Sequence, residues 1–207
     1  MSLQRVHWDT VYTTKAADTV SWFQHDPTPS LDMIARTGLG ASEPMIDVGG
    51  GASVLIDRLL DRSHSKLTVL DIALAGLAVA QKRLGERAGR VTWIAQDVTA
   101  WQPPQEAFSI WHDRAVFHFL VEETDRVAYV RALDQGLRLG GFVILAPFSL
   151  TGPERCSGLP VRRYSAAMLQ AELGADYSLV NQQPQTHLTP AGNRQEFIWC
   201  LFRKSAT

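Results

Sequence analysis

The amino-acid sequence predicts a doubly wound α/β domain whose seven-stranded sheet is mostly parallel and ends in an antiparallel strand. Three observations predict it. Strand-like and helix-like segments alternate regularly from residue 30 onward, the pattern of βα units laid on a parallel sheet. The run MIDVGGGAS at 45–53 passes from an apolar strand through three consecutive glycines into the helix-compatible SVLIDRLLDR. Near the C-terminus two strand-like runs follow one another with no helical pattern between them, so they form an antiparallel pair.

The elements follow in order. Ser30 is placed to cap a helix through about Thr37, with Gly38 and Gly40 ending it. PMIDVG is a buried strand, and the helix after the glycines runs to about Arg62. KLTVLDIA is the second strand, and LAGLAVAQKRLGERA is a helix with Leu74, Leu77, Ala78 and Leu84 at helical spacing. VTWIAQDV is the third strand, and FSIWHDRAVFHFL begins as the fourth before turning into loop or helix. TDRVAYVRALDQGLRLGG is a helix stopped by Gly140 and Gly141, and FVILAPF is the fifth strand. The stretch 149–164 reads as a loop, SAAMLQAELG as a helix between a Ser165 cap and a Gly174 stop, and YSLVNQQ and QEFIWCLFR as strands joined by the loop PQTHLTPAGNR. Residues 1–29, with Trp8, Tyr12, Trp22 and Phe23, form an N-terminal arm or lid, and 30–207 the single domain.

Composition narrows the function classes. A formal net charge of −1 gives no basic excess to draw nucleic acid as a partner. No apolar run approaches the roughly 20 residues of a membrane span, and the start MSLQRVHWD lacks the apolar core of a signal peptide. Cys156 and Cys200 lie far apart and form no metal-type pair. The expectation is a cytoplasmic protein with no metal site, its oligomeric state open.

The chemistry concentrates at the C-terminal ends of successive strands, where open α/β sheets bind their ligands. The glycine turn stands there with Asp71, Asp97 and Asp113. Asp71 ends TVLD, 20 residues after Gly51, the place where a carboxylate accepts from both hydroxyls of a ribose. Asp97 ends WIAQD and is placed to accept from the exocyclic amine of an adenine. A nicotinamide cofactor competes, but its G-x-G-x-x-G fingerprint is incomplete because Val54 holds the third glycine's place. A Walker-type phosphate loop is excluded for want of G-x-x-x-x-G-K-[ST].

MIDVGGGAS, TVLDIA, IAQDV and LGGFVIL together resemble the class I S-adenosylmethionine (SAM)-dependent methyltransferases over roughly residues 45–202. The resemblance implies a Rossmann-like sheet with an antiparallel last strand and SAM as cofactor. It implies that Gly49, Gly50 and Gly51 lie against the methionine part, that Asp47 opens the motif, that Asp71 holds the ribose, and that Asp97 reads the adenine between Ile72 and Val98. HDRAVFHFL at 112–120 is similar to the loop after the fourth strand in the thiopurine methyltransferase-like branch, which points to a small-molecule acceptor.

Methyl transfer from a sulfonium needs alignment above all, and a general base only if the acceptor arrives protonated. Asp113 and His118 are the catalytic candidates. Asp113 either caps the next turn or contacts cofactor or substrate; His118, inside apolar FHFL, is either a core histidine or faces the acceptor. Arg114 is a structural ion-pair residue or a substrate contact, Trp22 and Phe23 are core or lid, and Cys156 is an inert buried thiol or a substrate contact. Phe148, Tyr164 and His187 complete the acceptor candidates. A protein lysine methyltransferase, which needs an exposed acidic groove, and a non-catalytic SAM-sensing domain, which needs no acceptor pocket, are the alternatives to a small-molecule enzyme with an S, N or O acceptor.

Overall fold

A computed structural model of the protein describes residues 3–206. Its first helix, α1 (Leu3–Thr14), lies in the N-terminal arm. Then come α2 (Thr28–Arg36), β1 (Met45–Val48), α3 (Leu55–Asp61), β2 (Leu67–Asp71), α4 (Leu74–Leu84), β3 (Val91–Ala95), β4 (Phe108–Arg114), α5 (Glu123–Gly136) and β5 (Leu137–Ala146). A two-residue-stranded hairpin, β6 (Arg155–Cys156) with β7 (Leu159–Pro160), precedes α6 (Ala166–Leu173), and β8 (Tyr177–Leu188) and β9 (Arg194–Lys204) close the chain.

The sheet has seven strands in the order β3-β2-β1-β4-β5-β9-β8. Strands β1 to β5 pair in parallel, and β9 runs antiparallel to both its neighbours. Strand order reverses between β1 and β4, and that switch point opens a crevice at the strands' C-terminal ends. Alternation along β1 explains the two covered faces. Met45 joins a core of Leu31, Ile34, Leu55, Leu59 and Leu77 from α2, α3 and α4. Ile46 and Val48 join the opposite core of Tyr129, Leu133, Leu169 and Leu173 from α5 and α6.

Four boundaries differ from the sequence expectations. The helix at Ser30 begins earlier, at Thr28 behind Pro27, so Ser30 lies inside it and its hydroxyl pairs with His112 rather than capping. The helix before β5 ends at Gly136, not at Gly140; apolar Leu137 is drawn into the sheet, and Gly136 packs so closely on Pro103 and Trp111 that a Cβ would sit 3.0–3.1 Å from them. Strand β8 runs on through Pro184 to Leu188, where a long loop was expected. It is the sheet edge, where a proline's missing N–H is tolerated. The stretch 149–164 carries the small β6–β7 hairpin. Ser165 does cap α6, accepting from the Met168 N–H at 3.2 Å, and Gly174 ends it.

Candidate active site

Two connected chambers occupy the crevice. The larger, about 780 Å³ counting its opening to solvent, lies between the glycine turn, the ends of β2, β3 and β4, and α1; the smaller, about 550 Å³ counted in the same way, lies between the glycine turn and the arm segment 17–27. Tyr12, Trp22, Gly49 and Arg114 line both and mark their junction.

Glycine is required at the turn for two reasons. Gly49 has φ +69°, and a Cβ there would overlap the Val116 side chain. At Gly51, φ +33°, a Cβ would lie 2.6 Å from Tyr12 Oη and 2.7 Å from Asp71 Oδ2. The turn therefore presents bare backbone to the crevice. Gly50 lines the smaller chamber, with Val54 beside it at the start of α3.

Asp71, Ile72, Asp97 and Val98 lie together on the wall of the larger chamber. Asp71 Oδ1 accepts from the Ala73 N–H at 2.7 Å. Burial drives its pKa up to about 7, reinforced by the negative charges of Asp47 and Asp9. Asp97 Oδ1 accepts from the backbone N–H and the hydroxyl of Thr99, at 2.9 and 2.7 Å.

Helix α1 forms the roof through Gln4, Trp8 and Tyr12. It is fastened at both sides: Arg5 donates to the Ala95 carbonyl at 2.9 Å, and Asp9 accepts from the Ala75 N–H at 3.0 Å, satisfying a free donor in the first turn of α4. The Tyr12 ring rests against Gly76, where a Cβ would come within 2.8 Å of it. Trp8 meets Trp22 and Phe119 edge-on, at 5.6 and 5.0 Å between centroids.

Strand alternation sorts the residues of β4. Asp47 faces His112 across the β1–β4 ladder, and Val48 faces Asp113. His112 Nδ1 lies 2.7 Å from Asp47 Oδ1 and Nε2 3.1 Å from Ser30 Oγ, all three residues buried, so this histidine has both nitrogens engaged. Asp47 and His112 line the smaller chamber. Asp113 lines neither chamber, contrary to its expected place at the ligand. It accepts from the Val116 and Phe117 N–H groups and from the Tyr129 hydroxyl at 2.8 Å, so it caps the turn after β4. Burial raises its pKa to about 6.

His118 also lines neither chamber, because Phe119 stands on the cleft side. Its Nδ1 accepts from the Phe148 N–H at 3.2 Å, which places the proton of the neutral ring on Nε2, an atom without a partner. Burial and the nearby Arg114 hold its pKa down to about 3, so it stays neutral. Phe148 and Tyr164 are fully buried and line no chamber. His187 Nε2 donates to the Ser21 carbonyl at 2.8 Å, joining β8 to the arm at the edge of an outer groove. Phe23 borders that groove and the smaller chamber.

Arg114 and Cys156 also line the larger chamber, Arg114 at the end of β4, on the other side of β1 from the strands that lead to Asp71 and Asp97. Arg114 Nη1 donates to the Trp22 carbonyl at 2.9 Å, and its guanidinium lies 4.9 Å over the Phe197 ring. The Cys156 thiol is buried, with only 4.0 Å contacts to Ser21 and Ser157, and burial pushes its pKa above the ordinary 9.0. Asp9, Gly76 and His112 were not singled out from the sequence. His112 had a signal: two positions before Arg114, it shares that residue's face of β4, opposite to Asp113.

Comparison with known proteins gives a consistent setting. Residues 45–141 match the family model described as "Methyltransferase domain". A search among curated proteins finds no significant match. Among solved structures, one from work on conversion of a disulfide bond into a thioacetal group during echinomycin biosynthesis superposes with a TM-score of 0.79 and 16% identity, covering 99% of this chain and 93% of that one. The Burkholderia thailandensis 1,6-didemethyltoxoflavin-N1-methyltransferase, with 1,6-didemethyltoxoflavin and S-adenosylhomocysteine (SAH) bound, gives 0.72 at 20% identity over 98% and 87%. The N-methyltransferase NodS from Bradyrhizobium japonicum WM9, in complex with SAH, gives 0.71 at 16% over 96% and 98%. The similarity to the thiopurine branch finds no support among these.

Proposed function

We propose that the chain is a class I SAM-dependent methyltransferase, which its fold and the methyltransferase-domain match over residues 45–141 support, and that it methylates a small-molecule acceptor held against α1, Trp22 and Arg114. The observation that carries this reading is the pair of residue sets lining one chamber: Asp71, Ile72, Asp97 and Val98 in the first, Arg114, Phe119 and Cys156 in the second.

SAM fits the first set. Asp71, whose carboxylate accepts from the Ala73 and Gly51 backbone, keeps lone pairs for the ribose diol, Asp97 has its second oxygen for the adenine amine, and Ile72 and Val98 supply apolar flanks. The glycine turn supplies backbone approach for the methionine part. When bound, SAM supplies an activated methyl group, which passes to an acceptor lone pair while the carbon–sulfur electrons return to sulfur. The protein's own work is to orient and to exclude water. Tyr12 and Trp22 border the junction and Trp8 the larger chamber, and the fastening of α1 through Arg5 and Asp9 supports reading the arm as a lid.

Among the described residues no free base stands at the junction: His112 and Asp47 engage each other, the second nitrogen of His112 pairs with Ser30, and His118 and Asp113 line neither chamber. The acceptor therefore arrives with its lone pair available, as a thiolate, phenolate, neutral amine or ring nitrogen does. The Burkholderia neighbour acts on a small heterocycle, which favours an acceptor of that size. An arginine in the second set disfavours a lysine side chain as the nucleophile.

A screen with methyl-labelled SAM against thiols, phenols, heterocyclic amines and peptide lysines tests the reading. Label in a small molecule supports it, whereas label in lysine peptides alone refutes it.

A further inference from the structure

Among the described residues the Arg114 guanidinium at the chamber junction forms no ion pair, and the Asp47 carboxylate acts on it only through space. Arg114 uses Nη1 on the Trp22 carbonyl, while its Nε and Nη2 are buried and have no hydrogen-bond partner in the protein. A guanidinium carries five N–H donors in a planar fork, and leaving two of its nitrogens unmatched away from water is costly. Burial lowers its pKa to about 10, which still leaves it fully charged at neutral pH. Phe197 lies beneath the guanidinium at 4.9 Å, the Cys156 thiol is kept protonated by burial, and the Asp47 carboxylate, which adds a favourable charge, is engaged by His112 instead.

Building on the methyltransferase reading, we propose that Arg114 is the specificity-determining residue of the acceptor site, and that the acceptor is a ring-sized apolar molecule bearing an anionic group. The fork of Nε and Nη2 matches the two oxygens of a carboxylate or related oxyanion. Trp8, Trp22 and Phe119 supply the apolar walls for a ring. SAM brings a second positive charge, its sulfonium, into the same chamber. Two cations sharing a water-poor site repel, and an anionic acceptor between them removes the conflict. The same arrangement disfavours cationic acceptors.

Binding measurements on the SAH-saturated protein test this directly, with benzoate and benzamide as a matched pair. Wild type is expected to prefer benzoate by about tenfold or more, the factor that a charge-assisted hydrogen-bond pair implies. Arg114→Gln abolishes the preference, and Arg114→Lys retains part of it, with melting midpoints confirming that both variants fold. Equal affinity of wild type for the acid and the amide, or no binding of the acid, overturns the proposal. So does a tenfold or greater loss of SAH affinity in Arg114→Gln with 5′-methylthioadenosine binding unchanged, because Arg114 then holds the carboxylate of the methionine part. Failure of wild type to bind SAH at all strikes the methyltransferase reading itself and is distinguishable from these results.

Discussion

Replacing Asp71 by asparagine separates two effects that act in opposite directions. In the ligand-free protein the carboxyl sits in a buried site at the end of β2, and burial raises its pKa from 3.8 to about 7. A carboxyl whose folded value lies above its unfolded value binds protons more readily when folded. It therefore costs stability above pH 7, and that cost is withdrawn as the pH falls from 7 toward 3.8. At about 1.4 kcal/mol per pH unit the cost above pH 7 is at most about 4 kcal/mol. Asparagine keeps an oxygen for the Ala73 N–H and removes the charge that Asp47 and Asp9 oppose. The Asp71→Asn protein should thus melt higher than wild type without ligand at pH 8, and this advantage should shrink toward pH 4. With ligand the order reverses. Loss of charge-assisted bonds to a ribose diol costs about 1.5–3 kcal/mol, or about 10- to 150-fold in SAH affinity. Because the ligand needs the carboxylate, wild-type affinity should be flat above pH 8 and fall below pH 7 by up to about tenfold per unit. The variant's affinity should be flat throughout. Calorimetric titration from pH 5 to 9 measures both, and a wild-type affinity indifferent to pH, or an asparagine variant that binds equally well, refutes the ribose assignment.

Gly49→Ala forces a residue with φ +69° to carry a Cβ into Val116. The backbone alone costs about 1–2 kcal/mol, and SAH binding measured by titration should be lost even where circular dichroism shows a folded protein. Asp113→Ala leaves the Tyr129 hydroxyl and two backbone donors without their acceptor. A loss of about 3 kcal/mol lowers the melting midpoint by roughly 6–12 °C for a chain of this size, while SAH affinity of the folded protein stays at the wild-type level; a selective loss of affinity would return Asp113 to the ligand. Cys156, buried and protonated, should resist iodoacetamide at pH 7.5 in the native protein, and mass spectrometry reads the result. Asp9→Ala removes the donor match at the start of α4 and one fastening of α1, worth about 1 kcal/mol; proteolysis within residues 3–14 should accelerate, and bound SAH should slow it.

The architecture was legible because alternation and glycine placement are local signals. The strand–turn–helix at MIDVGGGAS, the Ser165 cap and the Gly174 stop all stand where the side-chain chemistry puts them. Ends decided by tertiary context were not legible. Leu137 joins β5 because the sheet buries it, and Pro184 stays in β8 because that strand has a free edge. The chamber that holds Asp71, Ile72, Asp97 and Val98 brings together residues that the sequence had already linked by position after successive strands. The roof could not be read the same way. Asp9 reaches the first turn of α4, and Tyr12 reaches Gly76, through contacts more than 60 residues apart in the chain, which no spacing rule encodes. Asp113 misled because an acid at a strand's end looks alike whichever way it faces; only the β1–β4 register, with Val48 opposite it, turns it toward α5.

The most direct test of the central claim is transfer itself. Wild-type protein, methyl-labelled SAM and a panel of acidic aromatic thiols, phenols and ring nitrogens should yield a labelled small molecule and SAH in equal amounts, with Arg114→Gln slowing turnover at limiting acceptor. Tight SAH binding with no labelled product from any acceptor, small or macromolecular, contradicts the claim and makes this fold a SAM sensor.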